Sequence, residues 1–146
     1  MSVEVYLVRH AEAGAGVGIQ DADRRVTAHG RAAFQRLLAS LSPPLVVTRI
    51  LTSPILRARE TATLLGMATG APVEPADELA SGPASGREIL ALARHAGPGS
   101  ALVGHNPEIA EAIAAAGGGA APVPPGTVAA LDLSRARPRL LWVRSP

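Results

Sequence analysis

Residues 3–13 read VEVYLVRHAEA. Val3, Val5 and Leu7 alternate with Glu4 and Tyr6, a period of two that predicts a β-strand over Val3–Val8. The run then ends abruptly in Arg9-His10, a permanent cation followed by a titratable imidazole. A hydrophobic strand that delivers two basic side chains at its carboxyl end places them on a rigid support. Catalytic groups need such support, because they tolerate little positional error.

Working outward, the apolar period switches repeatedly between two and 3.6 residues. After a glycine-rich loop, Thr27 is expected as an N-cap, and Phe34, Leu37, Leu38 and Leu41 form a helical stripe that Pro43-Pro44 stops. Arg49–Thr52 reads as a second strand and passes at once into Ser53-Pro54, expected as an N-cap and first-turn pair. Ile55, Ala58, Ala62 and Leu65 share one face of the helix that follows. A polar, Pro- and Gly-rich connection covers about residues 68–84. Ser85-Gly86-Arg87-Glu88 is a capping box opening a third helix, which runs through Ile89, Leu92 and Ala93 to Gly97-Pro98. Ala101–Val103 is a short buried strand, and Asn106-Pro107 is expected to cap a fourth helix carrying Ile109 and Ile113. Beyond the Gly117–Gly119 run and the PVPPG loop, Val128–Leu133 and Leu140–Val143 close the chain as two strands. Strands alternating with helices predict one α/β domain over residues 1–146, with a mainly parallel sheet and no internal repeat.

Composition narrows the function classes. The chain has 146 residues, enough for one substantial core, but a single Trp, a single Tyr and a single Phe, so that core must be aliphatic. The net charge of +2 is too small for the footprint of a nucleic-acid binder. All 14 cationic side chains other than histidine are arginines. With no cysteine there is no disulfide, no thiolate nucleophile and no cysteine metal site. No signal peptide is visible, and no apolar run reaches the roughly 20 residues that span a bilayer. The expectation is a cytoplasmic protein without membrane or nucleic-acid partners.

Three strand-to-helix junctions carry the same chemistry. The first strand ends in Arg9-His10, the second runs through Ser53-Pro54 to Arg57, and the Ala101–Val103 strand ends in Gly104-His105-Asn106-Pro107. In open α/β sheets ligands sit beyond the carboxyl ends of the strands, where these junctions converge. Two arginines, two histidines and two helix N-termini make an anion site suited to a phosphoryl group. A neutral imidazole in line with phosphorus can act as nucleophile, splitting the transfer into two steps. Guanidinium groups around it stabilise the equatorial oxygens and disfavour imidazolium, which keeps His10 nucleophilic. Any one of these pairs alone reads as surface decoration; three in one fold do not. Arg31 and Arg59 read as solvated, and His29 and His95 as exposed and inert. Two histidines without a carboxylate at ligand spacing make a poor metal site, so neither metal nor cofactor is expected.

The segments LVRHAEA, LTSPILRARETA and VGHNP resemble the three signatures of the histidine phosphatase superfamily, also called phosphoglycerate mutase-like, in order, spacing and position. The short length and the segments RRVTAHG and PGTVAALDL are most similar to its SixA-type phosphohistidine phosphatases. The resemblance implies a three-layer α/β/α sandwich without a lid insertion. It implies His10 as the phosphorylated nucleophile and Arg9, Arg57 and His105 as its phosphate pocket, with Arg24 as a further phosphate contact. Arg25 is the immediate neighbour of Arg24. The superfamily's usual glycine after Arg-His is Ala11 here, and AEAGAGVGIQ lacks an asparagine common in that loop. ADELASG resembles the segment that carries the proton donor in larger members, which makes Glu78 the candidate acid; Glu12 and Glu108 lie near the motifs as alternatives.

The shortness of the 68–84 connection leaves no lid to wrap a small metabolite or exclude water. An open site suits a side chain projecting from another protein, and protein phosphohistidine is the expected substrate. Its leaving imidazole is far less basic than an alkoxide, so a strong acid is less necessary. The same openness argues against mutase activity, which must protect a phosphoenzyme from water. The alternatives are a small phosphomonoester substrate for the same chemistry, or a noncatalytic phosphate- or nucleotide-binding module suggested by GAGVG at 14–18. Against the nucleotide reading, those glycines do not lie directly between strand and helix.

Overall fold

The computed structural model describes residues 4–82, 84–119 and 122–146. Its elements are β1 (Glu4–Arg9), α1 (Ala28–Ser40), β2 (Arg49–Thr52), α2 (Leu56–Thr69), β3 (Val73–Pro75), α3 (Gly86–Ala96), β4 (Ser100–Gly104), α4 (Glu108–Ile113), β5 (Val128–Asp132) and β6 (Arg139–Arg144). Short 3-10 turns occupy Asp21–Asp23 and Asp77–Leu79. The six strands form one sheet in the order β3-β2-β4-β1-β5-β6. The first four are mutually parallel; β5 runs antiparallel to β1, and β6 antiparallel to β5.

Both faces of this sheet are covered. β1 sends Val5 and Leu7 to one side and Tyr6 and Val8 to the other, and all four are buried. On the first face they meet Ile89, Leu90 and Ala93 of α3 and Ile109, Ala112 and Ile113 of α4. On the second they meet Phe34 and Leu37 of α1 and Ala58, Ala62 and Leu65 of α2. The result is the three-layer sandwich, with the double-sided burial that parallel strands require. The core is aliphatic, with Phe34 its largest fully buried side chain. Truncating a phenylalanine so placed costs about 3–5 kcal/mol.

Local signals were obeyed where they act over one turn. Thr27 accepts from the Gly30 N–H at the start of α1, and Ser85 and Glu88 form the reciprocal capping box of α3. β2 has the expected bounds, while β1 runs on to Arg9; Val3 lies outside the described residues. Three expectations are corrected. α2 begins at Leu56 with Ile55 as its N-cap residue, and the Ser53 hydroxyl accepts from the Ile55 N–H just ahead of it while also meeting His105. α4 begins at Glu108, one residue beyond the expected cap pair, with Pro107 at the N-cap position and no side-chain cap. The 68–84 connection contains β3, an exposed three-residue edge strand ending in Pro75, too short and polar to show as a period.

Register brings the three basic junctions together. Arg9 pairs with Gly104 across β1 and β4, and Thr52 with Val103 across β2 and β4. Residues 10, 53 and 105 therefore emerge side by side, one step beyond three adjacent strands. The loop after β1 is pressed onto α1 at Gly30, where a Cβ would meet the Glu12 carbonyl oxygen at 2.5 Å. Only glycine permits that approach.

Candidate active site

His10 leaves β1 with its backbone fixed on both sides. Its N–H donates to the Gly104 carbonyl at 3.0 Å, and its own carbonyl accepts from the Gly126 N–H at 2.9 Å. The ring is buried, and Nδ1 lies 2.8 Å from the Ala11 carbonyl oxygen. A carbonyl only accepts, so Nδ1 carries the proton and Nε2 keeps its lone pair. Ala11 is held in turn: its N–H donates to Thr61 Oγ1 at 2.9 Å, and the Thr61 hydroxyl donates to the Arg57 carbonyl at 2.8 Å. The orientation of the His10 ring is thus set from β4, the Gly126 turn and α2.

His105 is the second imidazole, buried and with its ring centroid 5.2 Å from that of His10. Its Nε2 lies 2.8 Å from Ser53 Oγ, which also accepts from the Ile55 N–H at 3.1 Å. With the Ser53 hydroxyl donating to Nε2, the ring proton sits on Nδ1, which has no partner within the protein. The two histidines are thereby set in opposite senses, one with a free acceptor and the other with a free donor.

Two guanidinium groups complete the floor. Arg57, in the first turn of α2, has a side chain only 9% exposed, while Arg9 is half-buried and donates from Nη1 to the Val123 carbonyl at 2.9 Å. The Nε atoms of both arginines are buried without a partner. Of the five such side-chain atoms among the described residues, three are nitrogens of Arg9, Arg57 and His105. A buried donor left unpaired costs about 1–3 kcal/mol, and three such nitrogens on residues of adjoining strand ends suit an anion. Burial, first, and then the cations pull both imidazoles down to about 4. For His10 the depressing charges are His105, Arg57 and Arg9, opposed by the Ala11 hydrogen bond. For His105 they are Arg57 and Arg9, opposed by Asp21. Burial and Arg57 also lower Arg9. Both rings are therefore neutral at physiological pH, the form in which His10 can attack phosphorus.

The rim is built from loops. Arg24 Nε donates to the Gly14 carbonyl at 2.6 Å, and Nη1 donates to Asp21 Oδ1 at 3.0 Å. Asp21 also faces Arg57: its carbonyl accepts from Nη1 at 2.9 Å, and Oδ2 lies 3.3 Å from Nη2. Asp21 thereby links Arg24 to Arg57, whereas the exposed Arg25 pairs with Glu60 at 2.8 Å. Glu78 is exposed on the Asp77–Leu79 turn, in a cleft it shares with Arg49, Glu74 and His95, and it is none of the charges acting on His10 or His105. Glu12 is exposed and accepts from the Thr27 hydroxyl at 2.8 Å. Glu108 is buried and accepts from the Gly82 N–H at 2.8 Å. His29 and His95 are exposed. Among the described residues no group of three or more His, Cys, Asp or Glu is placed to hold a metal ion. None of their helices is long and apolar enough to cross a membrane.

Three residues of the site escaped sequence reasoning. Ser53 was noticed, but for the wrong partner: its hydroxyl orients His105, 52 positions away. Thr61 lies one helical turn beyond Arg57, a spacing that points it at the same end of α2. Asp21 had no signal beyond lying three residues before Arg24.

Comparison with known proteins agrees with this geometry. The model of the histidine phosphatase superfamily (branch 1) matches residues 5–89. The structure of SixA from Agrobacterium tumefaciens superposes with a TM-score of 0.84 at 27% identity, covering 100% of this chain and 99% of that one. SixA from Nakamurella multipartitia gives 0.79 at 28% identity, covering 100% and 97%. The protein histidine phosphatase SixA complexed with tungstate gives 0.82 at 23% identity, covering 98% and 97%, a likeness of fold. None of the curated proteins is a significant match.

Proposed function

The chain belongs to the histidine phosphatase superfamily, branch 1, and is a phosphatase; on that premise we propose that it dephosphorylates phosphohistidine in a partner protein through a covalent intermediate on His10. In the first step the Nε2 lone pair of His10 attacks phosphorus, the bond from phosphorus to the substrate ring nitrogen breaks, and its electron pair stays on that nitrogen. In the second, water attacks the phosphorylated His10, releasing phosphate and returning the imidazole. Arg9, Arg57 and His105 hold the phosphoryl oxygens and meet the charge that develops on them, with Arg24 as a fourth contact from the rim.

The observation that carries this reading is the paired setting of the two imidazoles. His10 has Nδ1 committed to Ala11 and Nε2 free, beside unpartnered donors on Arg9, Arg57 and His105. The substrate class is supported by the SixA relatives, by the short 68–84 connection, and by Glu78 facing a different cleft. An alkyl phosphate needs an acid for its leaving alkoxide; a phosphohistidine ring that already carries a proton does not. A small-ester phosphatase remains the competing assignment within the family.

The decisive experiment is to mix the enzyme with a peptide carrying chemically phosphorylated histidine, quench within milliseconds and map the phosphoryl group. Label on Nε2 of His10, with turnover exceeding that of an alkyl phosphate, is the expected result. Label elsewhere ends the assignment of His10, and preference for the alkyl phosphate ends the assignment of substrate.

A further inference from the structure

The mouth of the pocket carries an anion of its own. Asp21 is 72% exposed, yet both carboxylate oxygens are engaged, Oδ1 with Arg24 at 3.0 Å and Oδ2 with Arg57 at 3.3 Å. Its carbonyl holds Arg57 as well, and Arg24 is anchored to Gly14, so the loop is stapled at both ends of this contact. The hydrogen bond from Arg24, then Arg57, hold the Asp21 carboxyl below the usual carboxylate range. Asp21 is thus an acceptor, with no proton to donate. It stands on the two guanidinium groups assigned to the phosphoryl oxygens, on their solvent side, and close enough to His105 to bias its titration. A phosphoryl group taking Arg57 releases Oδ2 at no cost in buried contacts. An in-line displacement requires the leaving group to lie opposite His10, on the open side of the two guanidinium groups that Asp21 contacts.

We infer that Asp21 is the residue that selects phosphohistidine: it accepts a hydrogen bond from the N–H of the substrate's ring nitrogen that is not bonded to phosphorus. The inference rests on the phosphohistidine reading above. The chemistry balances without an acid. When that second nitrogen is protonated, the bond from phosphorus to nitrogen breaks with its electron pair moving onto the ring, and the imidazole departs neutral with its N–H intact. A carboxylate against the N–H favours this protonated, labile form. The phosphoryl group of either substrate competes with Asp21 for Arg24 and Arg57, but only phosphohistidine offsets that competition with an N–H to the carboxylate; an ester offers none. One side chain therefore favours one substrate class and opposes the other.

The test is a crossed comparison of the full-length enzyme with Asp21→Asn and Asp21→Ser, using the phosphohistidine peptide and an alkyl phosphate as probes. With both variants folded by thermal melt, kcat/KM for the peptide is expected to fall about tenfold or more, the effect of losing one charge-assisted hydrogen bond. For the alkyl phosphate it is expected to rise, because an internal competitor is gone. A change of the same sign on both probes overturns the inference, as does peptide turnover that stays unchanged. A fall on the alkyl phosphate alone overturns it too, making Asp21 a proton donor. A wild-type enzyme that cleaves the ester and never the peptide sinks the phosphohistidine reading itself. Peptide cleavage insensitive to Asp21 sinks only this inference.

Discussion

The floor and the rim of this pocket are made by different physics. The floor comprises Arg9, His10, Arg57 and His105, on the ends of buried strands or the first turn of a packed helix, with backbone hydrogen bonds on both sides of His10. The rim comprises Asp21 and Arg24 on the loop after β1, held mainly by one another or by a single carbonyl. A group on the floor pays for its position in desolvation, visible in the depression of both imidazoles. A group on the rim keeps more of its solvation, as the exposed carboxylate of Asp21 does. On the readings proposed above, catalytic power belongs to the first kind and discrimination between substrates to the second.

The largest break in that contrast comes from the nucleophile. His10→Ala is expected to abolish both turnover and phosphoenzyme formation while leaving the fold intact, since the lost ring contributes little to either hydrophobic cluster. Rapid-quench labelling checks it, and near-native turnover in the variant would refute the floor as the catalytic centre. Arg57→Ala follows, with kcat/KM expected to drop about 10²–10³-fold, the cost of one preorganised donor at a developing anion, ~3–4 kcal/mol. If the loss falls in KM alone, Arg57 serves binding rather than the transition state. Ser53→Ala probes the support beneath the floor: freeing the His105 ring should lower kcat about tenfold, one hydrogen bond's worth. A steady-state comparison showing no change would remove Ser53 from the site.

Protonation distinguishes floor from rim without a substrate. His10 and His105 titrate near 6.5 in the unfolded chain and near 4 in the folded one. Between these values the unfolded state binds protons that the folded state refuses, so stability is full above about pH 6.5 and falls as pH is lowered toward 4. Asp21, held low, gives its stabilisation above the ordinary carboxylate range and loses it only in stronger acid. Melting temperatures across pH 7 to 4.5 should therefore decline in the wild type and decline less in His105→Asn. A flat profile would mean that the rings are solvated.

The same contrast governs what the sequence discloses. Strand alternation, the Thr27 cap and the Ser85–Glu88 box act within a few residues, and they placed the layers correctly. The three basic junctions were legible because each motif repeats one chemistry at a strand end, where the topology of parallel sheets must bring it. β3 was not legible, since three exposed residues ending in proline carry no period. Nor was the partnership of Ser53, whose hydroxyl serves the Ile55 N–H two residues away and also meets a histidine at the end of the neighbouring strand. Asp21 meets Arg57 over a separation of 36 positions through a loop without apolar pattern. Rim contacts depend on loop paths, and loop paths are set by tertiary structure rather than by local propensity.

The smallest effect is expected at Glu78, and it decides between the two substrate classes. Its sequence context resembles the segment bearing an acid in larger relatives, yet its exposed carboxylate lines a cleft with Arg49, Glu74 and His95. If the leaving group is an imidazole that already carries its proton, Glu78→Gln should leave kcat/KM for the phosphohistidine peptide within about twofold of wild type, as is usual for exposed substitutions. An alkoxide leaving group has no such proton, so an acid at Glu78 would show as a loss confined to kcat for the alkyl phosphate, a few hundredfold in the ordinary range for general acid catalysis. That loss, if measured, would extend catalytic function beyond the floor and make the small-ester assignment the stronger one. Its absence on both probes leaves the floor sufficient for the chemistry.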